Sequence, residues 1–517
     1  VSAEPTQTAN TLPLERLFQS PSLSGPSPRA LSFSPDGKLV TFLKPREDDG
    51  ARLDLWAFDV ATGEASLLVD SKLLEPEEVE LSEQEKALRE RQRTAGQKGI
   101  LRYDWGGTDT ILIPIGGDLH LVTLGEDGPV ARQLTQTDAF EFDAKVSPAG
   151  KYVSFIRDNA LFAIELATGK ETQLTPDAEP DKAISYGVAE FVAQEEMSRF
   201  TGYWWSPDDT FVAYTRVDES TVDIVPRFDI AADSVTVVEQ RYPKAGRPNA
   251  VVDLFVVNLK TENSIDTVQV DWNAGLSGPA TDQYLARVNW IKDGGFIVQG
   301  VDRDQKAIKY SWIGVSQVNW GDSTYYVHPG YLAEEQQTWV NLSYDLRRTG
   351  EHLIFSSEAS GSRHIYLMLK EGSSENYEDP TEPPRDAELL ALTSGDWSIN
   401  AIEGAITNEG SRPETEDIAS IFFTGYKDTP LERHLYLANR ETPSEPTRIT
   451  PLGSTWSITM SPDGQSYIGT SSNPGQPPQT GLYKIDGTLI TWIEENALDE
   501  DHPYFPYLDG HTVPEYG

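Results

Sequence analysis

Short runs of alternating apolar and polar residues recur along the chain, and a turn rich in Ser, Pro, Asp and Gly precedes many of them. The pattern is clearest in FSPDGKLVTFLK (33–44), VSPAGKYVSFIR (146–157), WSPDDTFVAYTR (205–216) and MSPDGQSYIGTS (460–471). Looser copies are DWGGTDTILIPI (104–115), NWIKDGGFIVQG (289–300) and YDLRRTGEHLIFSS (344–357), and ASIFFTGYKD (419–428) supplies an eighth strand. Pro and Asp set up the turn, and Gly supplies positive φ where the chain reverses. The runs that follow alternate as half-buried strands do. Another strand and a second turn often come next. LDLWAFDVATGEASLLV (53–69) and ALFAIELATGKETQLT (160–175) are near copies of one such arrangement.

A single unit of this kind is a small sheet with both faces exposed. Repeated around a ring, the sheets bury one another, so about eight units predict an all-β, eight-bladed β-propeller. A β-sandwich or two smaller propellers is the alternative. The expected division is a lead-in arm over 1–28, a propeller over 29–498 and an aromatic, Pro-rich exit linker over 499–517. Two segments break the strand rhythm. Residues 75–99 alternate charges at helical spacing and predict an exposed helix stopping at Gly96. Residues 189–200 lack Gly and Pro and predict a second helical insertion. Insertions between strands are natural places for function.

Composition narrows the choice of partners. The 517 residues include 82 acidic and 42 basic ones, for a net charge of −40. Such a surface repels phosphate backbones and anionic lipid, so neither nucleic acid nor a membrane is expected as a partner. Aromatic content is 10%, with 12 Trp and 21 Tyr, enough for a large core. There is no cysteine, which excludes disulfides and thiolate metal sites. No cofactor is expected.

The chain contains no G-x-S-x-G nucleophile elbow, no H-x-x-x-H pair and no EF-hand loop. None of its seven histidines, His120, His328, His352, His364, His434, His502 and His511, has a local setting that marks a catalytic base. No catalytic residue is therefore expected in this chain. The adjacent acids Glu195 and Glu196 are a weak signal by themselves, because about a dozen acidic pairs arise by chance at this composition. On a strand, neighbours point to opposite faces. On a helix they lie about 100° apart, and two Glu side chains can converge on one small cation. A peptide's terminal ammonium, with three N–H donors and one charge, fits such a pair. The Arg-dense RERQR (89–93) could supply a guanidinium that bridges Glu195 and donates to a substrate carbonyl. Pairing with Glu83, Glu85 and Glu90 on its own helix is the plainer alternative.

The string FVAQEEMSRFTGYWWSPD (191–208) resembles the double-glutamate segment of the dipeptidyl peptidase IV family, within the prolyl oligopeptidase superfamily. RYPKAGRPNAVVDLFVVNL (241–259), ALTSGDWSI (391–399) and KDTPLERHLYL (427–437) resemble propeller segments of that family in the same order. ALRERQR (87–93) followed by GILRYDW (99–105) is similar to the arginine helix of its eight/nine branch and bacterial relatives. The resemblance implies a propeller joined to an α/β-hydrolase domain with a Ser-Asp-His triad, and release of N-terminal dipeptides with Pro or Ala second. It places the amine-binding pair on Glu195 and Glu196 and the pocket arginine on Arg93, with Arg91 as the fallback. The hydrolase domain has no counterpart before Gly517, so this chain alone is expected to be inactive. The partners implied are peptides with a free N-terminus and that C-terminal domain, with a homodimer possible. A periplasmic or secreted location is expected, with the cytoplasm as the alternative. The rival readings are a non-enzymatic peptide- or protein-binding propeller and a metal-dependent propeller hydrolase.

Overall fold

A computed structural model describes residues 11–75, 81–126, 128–259, 266–273, 276, 278–291, 295–319, 324–349, 352–369, 388–407, 418–510 and 512. Residues 1–10 of the expected arm, 76–80 of the first expected helix, and His511 with 513–517 of the expected linker lie outside them.

Eight antiparallel sheets follow one another along the chain, over 29–69, 104–133, 142–173, 184–270, 283–335, 347–391, 399–448 and 455–494. The chain is an eight-bladed β-propeller, and each of the eight repeats falls in a different sheet. Thr110–Ile115 illustrates how the sheets stack. Its Ile111 and Ile113 pack against the first sheet, and Leu112 between them packs against the third. Both faces are buried, so such strands read as apolar runs rather than strict alternations. The same holds in Ile418–Gly425, where Ile421 and Phe423 face the sixth sheet and Phe422 faces the eighth. The last boundary is filled by Phe33, Phe42 and Phe58 of the first sheet with Ile468 and Leu482 of the eighth. No strand among the described residues crosses it, so side-chain packing closes the ring there.

The repeated turns explain their sequence. Gly37, Gly150 and Gly464 have φ of +72°, +73° and +67°. The fourth sheet has Asp209 at that place, with φ +60°. Its carboxylate accepts from Ser147 Oγ at 2.6 Å, Ala149 N at 2.9 Å and Lys151 N at 3.2 Å, which ties its turn to that of the third sheet.

Three excursions leave the ring. The first carries α1 (Ser71–Leu74) and α2 (Glu83–Arg91). The expected stop at Gly96 is corrected: the helix ends at Arg91. Arg93 turns left-handed, with φ +57°, while Arg93 N donates to Glu90 O and Thr94 N to Arg89 O. That is a Schellman ending with arginine where glycine usually stands. The second excursion carries α3 (Phe191–Glu196), shorter than the expected 189–200. It splits the inner strand of the fourth sheet, because Ile184–Tyr186 and Tyr203–Trp205 both pair with Phe211–Asp218. Its neck is tight: a Cβ on Gly202 would lie 2.3 Å from Val188 O. The third is a hairpin, Ile224–Ile230 with Val235–Arg241, that forms its own two-stranded sheet. It exposes Phe228, Ile230 and Val237. Arg227 of the hairpin lies 3.8 Å from Glu90 of α2, and Tyr242 at its base meets Phe191 of α3 edge-on at 5.2 Å. No helix among the described residues is long and apolar enough to cross a membrane.

Candidate functional site

A six-residue helix does not persist by its own hydrogen bonds. The N-cap of α3, Glu190, makes no side-chain cap. Tertiary contacts hold the helix instead. Glu190 pairs with Arg199 at 2.7 Å, and both side chains are almost fully buried. Arg199 N donates to Ala193 O at 2.9 Å. Beyond the far end, Arg287 from the fifth sheet donates to Met197 O at 2.6 Å and stacks on Tyr344 at 4.2 Å. Burial holds the Arg287 guanidinium below its ordinary range. Met197 itself is buried between the fifth and sixth sheets. A buried charge pair of this kind fixes geometry more than it adds stability, because desolvation offsets most of the attraction.

Glu195 and Glu196 occupy the last two positions of α3 and are both exposed. Arg91, the last residue of α2, reaches Glu195. Its Nε lies 3.3 Å from Glu195 Oε1, its Nη1 donates to Gln194 Oε1 at 2.8 Å, and its plane lies over the Phe191 ring at 5.3 Å. Arg93 does not take that place. It is exposed and its backbone forms the helix ending, so Arg91, the fallback, is the arginine that meets Glu195. The helix ends at Arg91, and the left-handed turn at Arg93 carries that side chain out to solvent. With Glu196 next in the chain to Glu195, two carboxylates and one guanidinium leave a net negative charge. Such a site can accept an ammonium's N–H groups, with the guanidinium free to donate to a neighbouring carbonyl.

Behind Arg91 is a cavity of about 440 Å³, walled by Arg91, Gln194, Phe191, Glu190, Glu219 and Arg241 among others. Glu195 and Glu196 are not part of its wall. Burial pushes the Glu219 carboxyl above its ordinary value, and the charges of Arg241 and Arg91 pull it part of the way back. Among the described residues no three His, Asp or Glu side chains come together as metal ligands would. The partners that build the site, Gln194, Phe191, Arg199, Arg287 and Glu219, were not singled out from the sequence. Gln194 and Phe191 stand in the same string as the glutamates. Arg287 lies some ninety residues away, and nothing local connects it to α3.

The family model described as "Dipeptidyl peptidase IV (DPP IV) N-terminal region" matches residues 117–478. Dipeptidyl peptidase 8 of Homo sapiens is 28% identical over 471 residues, covering 78% of this chain and 51% of that protein. Probable dipeptidyl peptidase 4 of Aspergillus fumigatus is 27% identical over 379 residues, covering 68% of this chain and 43% of that protein. The chain thus spans about half the length of the curated relatives it matches. Among solved structures, dipeptidyl peptidase 4 of Porphyromonas gingivalis superposes with a TM-score of 0.69 over 95% of this chain and 63% of that one. At 18% identity that likeness speaks for the fold alone. The family match covers well over half of the residues, and on that ground the chain belongs to the dipeptidyl peptidase IV family, as its N-terminal propeller region.

Proposed function

We propose that this chain is the substrate-anchoring propeller of a serine exopeptidase that releases N-terminal dipeptides with Pro or Ala second. The observation that carries the reading is the pair Glu195 and Glu196 at the exposed end of α3, with Arg91 3.3 Å from Glu195. In this reading the two carboxylates bind the substrate's terminal ammonium and Arg91 holds a backbone carbonyl. Anchoring the amino end fixes how far along the peptide the scissile bond lies. The serine, aspartate and histidine come from a C-terminal α/β-hydrolase domain, and the propeller contributes by positioning.

The test is Glu195→Gln and Glu196→Gln in a protein carrying both domains. Removing one charge-assisted hydrogen bond to the ammonium, in a site that bound substrate would close off from water, costs about 2–4 kcal/mol, so each variant is expected to fall roughly 30- to 1000-fold in kcat/KM on Ala-Pro or Gly-Pro reporters. Unchanged cleavage by both variants would end the assignment. The rival reading, a non-enzymatic peptide-binding propeller, has binding indifferent to the N-terminus. Calorimetry with free and N-acetylated forms of one peptide separates the two, since only anchoring is abolished by acetylation.

A further inference from the structure

Arg91 takes its closest contacts from a single turn of α3: Glu195, Gln194 and Phe191. Gln194 stands out among them. Its Nε2 donates to Ala189 O at 2.6 Å, which orients the amide and leaves Oε1 to accept from Arg91. A neutral acceptor holds the guanidinium without cancelling its charge, which a third carboxylate would do. On the other side of Arg91 lies the cavity it shares with Glu219. That carboxyl is half-buried and, among the described residues, has no side-chain hydrogen bond to match the one Arg199 gives Glu190, and it feels the charge of Arg91. Arg241 stands nearby, but its Nη1 is occupied by the carbonyl oxygens of Glu219 and Val222. Arginine has a long, flexible stem and a choice of two acids, one exposed and one half-buried.

We infer that Arg91 has two seats, one at Glu195 and one at Glu219 across the cavity, and that Gln194 is the positioning residue that holds it at the first. This rests on the proposed anchoring role of the same site. With Gln194 in place the guanidinium stands where a bound peptide meets it. Without Gln194 the guanidinium turns back toward Glu219, and Glu195 is left without the partner that steadies it. Gln194 acts through Arg91 and touches no substrate.

The experiment uses the two-domain protein and an Ala-Pro reporter. Gln194→Met keeps the size and removes both hydrogen bonds. It is expected to raise KM by about 5- to 30-fold with kcat little changed, less than the loss of a direct contact to the ammonium because Gln194 acts only through Arg91. Adding Glu219→Gln removes the competing seat and is expected to restore most of the affinity. A generally loosened fold would not give that rescue, because the second substitution adds no stabilising contact of its own. Should Gln194→Met fail to fold, Gln194→Ala carries the same comparison. An unchanged KM in the single variant, or a raised KM that Glu219→Gln leaves raised, overturns the inference. Either result, with Glu195→Gln and Glu196→Gln still impaired, leaves the anchoring reading standing. Intact cleavage by those two variants removes the anchoring reading itself.

Discussion

Two residues sit left-handed where the local pattern favours glycine, and they differ in what they gain from it. Asp209 replaces the glycine of the repeated turn, and its carboxylate satisfies three donors on the neighbouring sheet. Those charge-assisted bonds outweigh the backbone penalty of about 1 kcal/mol. Arg93 takes the same conformation at the end of α2 while its side chain is exposed. Arg93→Gly is therefore expected to raise stability by up to about 1 kcal/mol. Cleavage by the two-domain protein should be unaffected, because Arg91 meets Glu195. A large drop in kcat/KM for Arg93→Gly, measured beside urea unfolding, would return the pocket arginine to position 93. The sequence offered Arg89, Arg91 and Arg93 on equal chemical terms. The fold selects among them: Arg89 is taken up by Glu85 on its own helix, Arg93 ends the helix left-handed, and Arg91 meets Glu195.

At the scale of elements, α3 is a short helix whose ends are tied by residues from elsewhere. Glu190→Gln would leave Arg199 buried with its charge unmatched, and breaking a buried pair in this way costs about 3–5 kcal/mol. The expected outcome is a lower unfolding midpoint together with a raised KM, since the helix bearing the glutamates loosens with its anchor. An unchanged KM would mean that Arg287 and Met197 alone hold α3 in place. The presence of an insertion here was legible, because 189–200 interrupts the strand rhythm between two aromatic-rich strands. Its true length was not. Six residues became helical because the split strand fixes both ends of the excursion, and Gly202 leaves no room at the neck.

Across the whole molecule, a recurring latch joins strands within several blades. Thr135, Thr175, Thr393 and Thr450 each accept from the N–H of Leu119, Leu161, Ile365 and Leu435 in turn, at 2.9–3.0 Å. In the sixth and seventh sheets a histidine joins in. His364 and His434 meet Thr393 and Thr450 at 3.1 Å through Nδ1, so these histidines serve the fold. Burial holds the His434 imidazole below its ordinary value of 6.5. Below that pH the unfolded chain takes up a proton that the folded chain refuses, so stability falls as pH drops through the window and is fully present above it. Desolvation pushes up the carboxyls of buried Glu141 and half-buried Glu403, and these act in the opposite sense at lower pH. His434→Gln should flatten the fall in unfolding midpoint between about pH 7 and pH 5 relative to the parent. Parallel curves for the two proteins would rule out His434 as a contributor.

The sequence by itself determined the ring. Each turn-and-strand repeat is a local instruction, and a sheet with two apolar faces has nowhere to bury them except against copies of itself. It also determined that Glu195 and Glu196 stand together, because neighbours on a helix need no tertiary contact to be neighbours. The tertiary structure decided which arginine meets Glu195, where α2 and α3 stop, and which distant side chains hold α3 still. Those outcomes depend on residues some ten to a hundred positions apart being brought within a few ångströms, and no periodicity along a chain encodes such a distance.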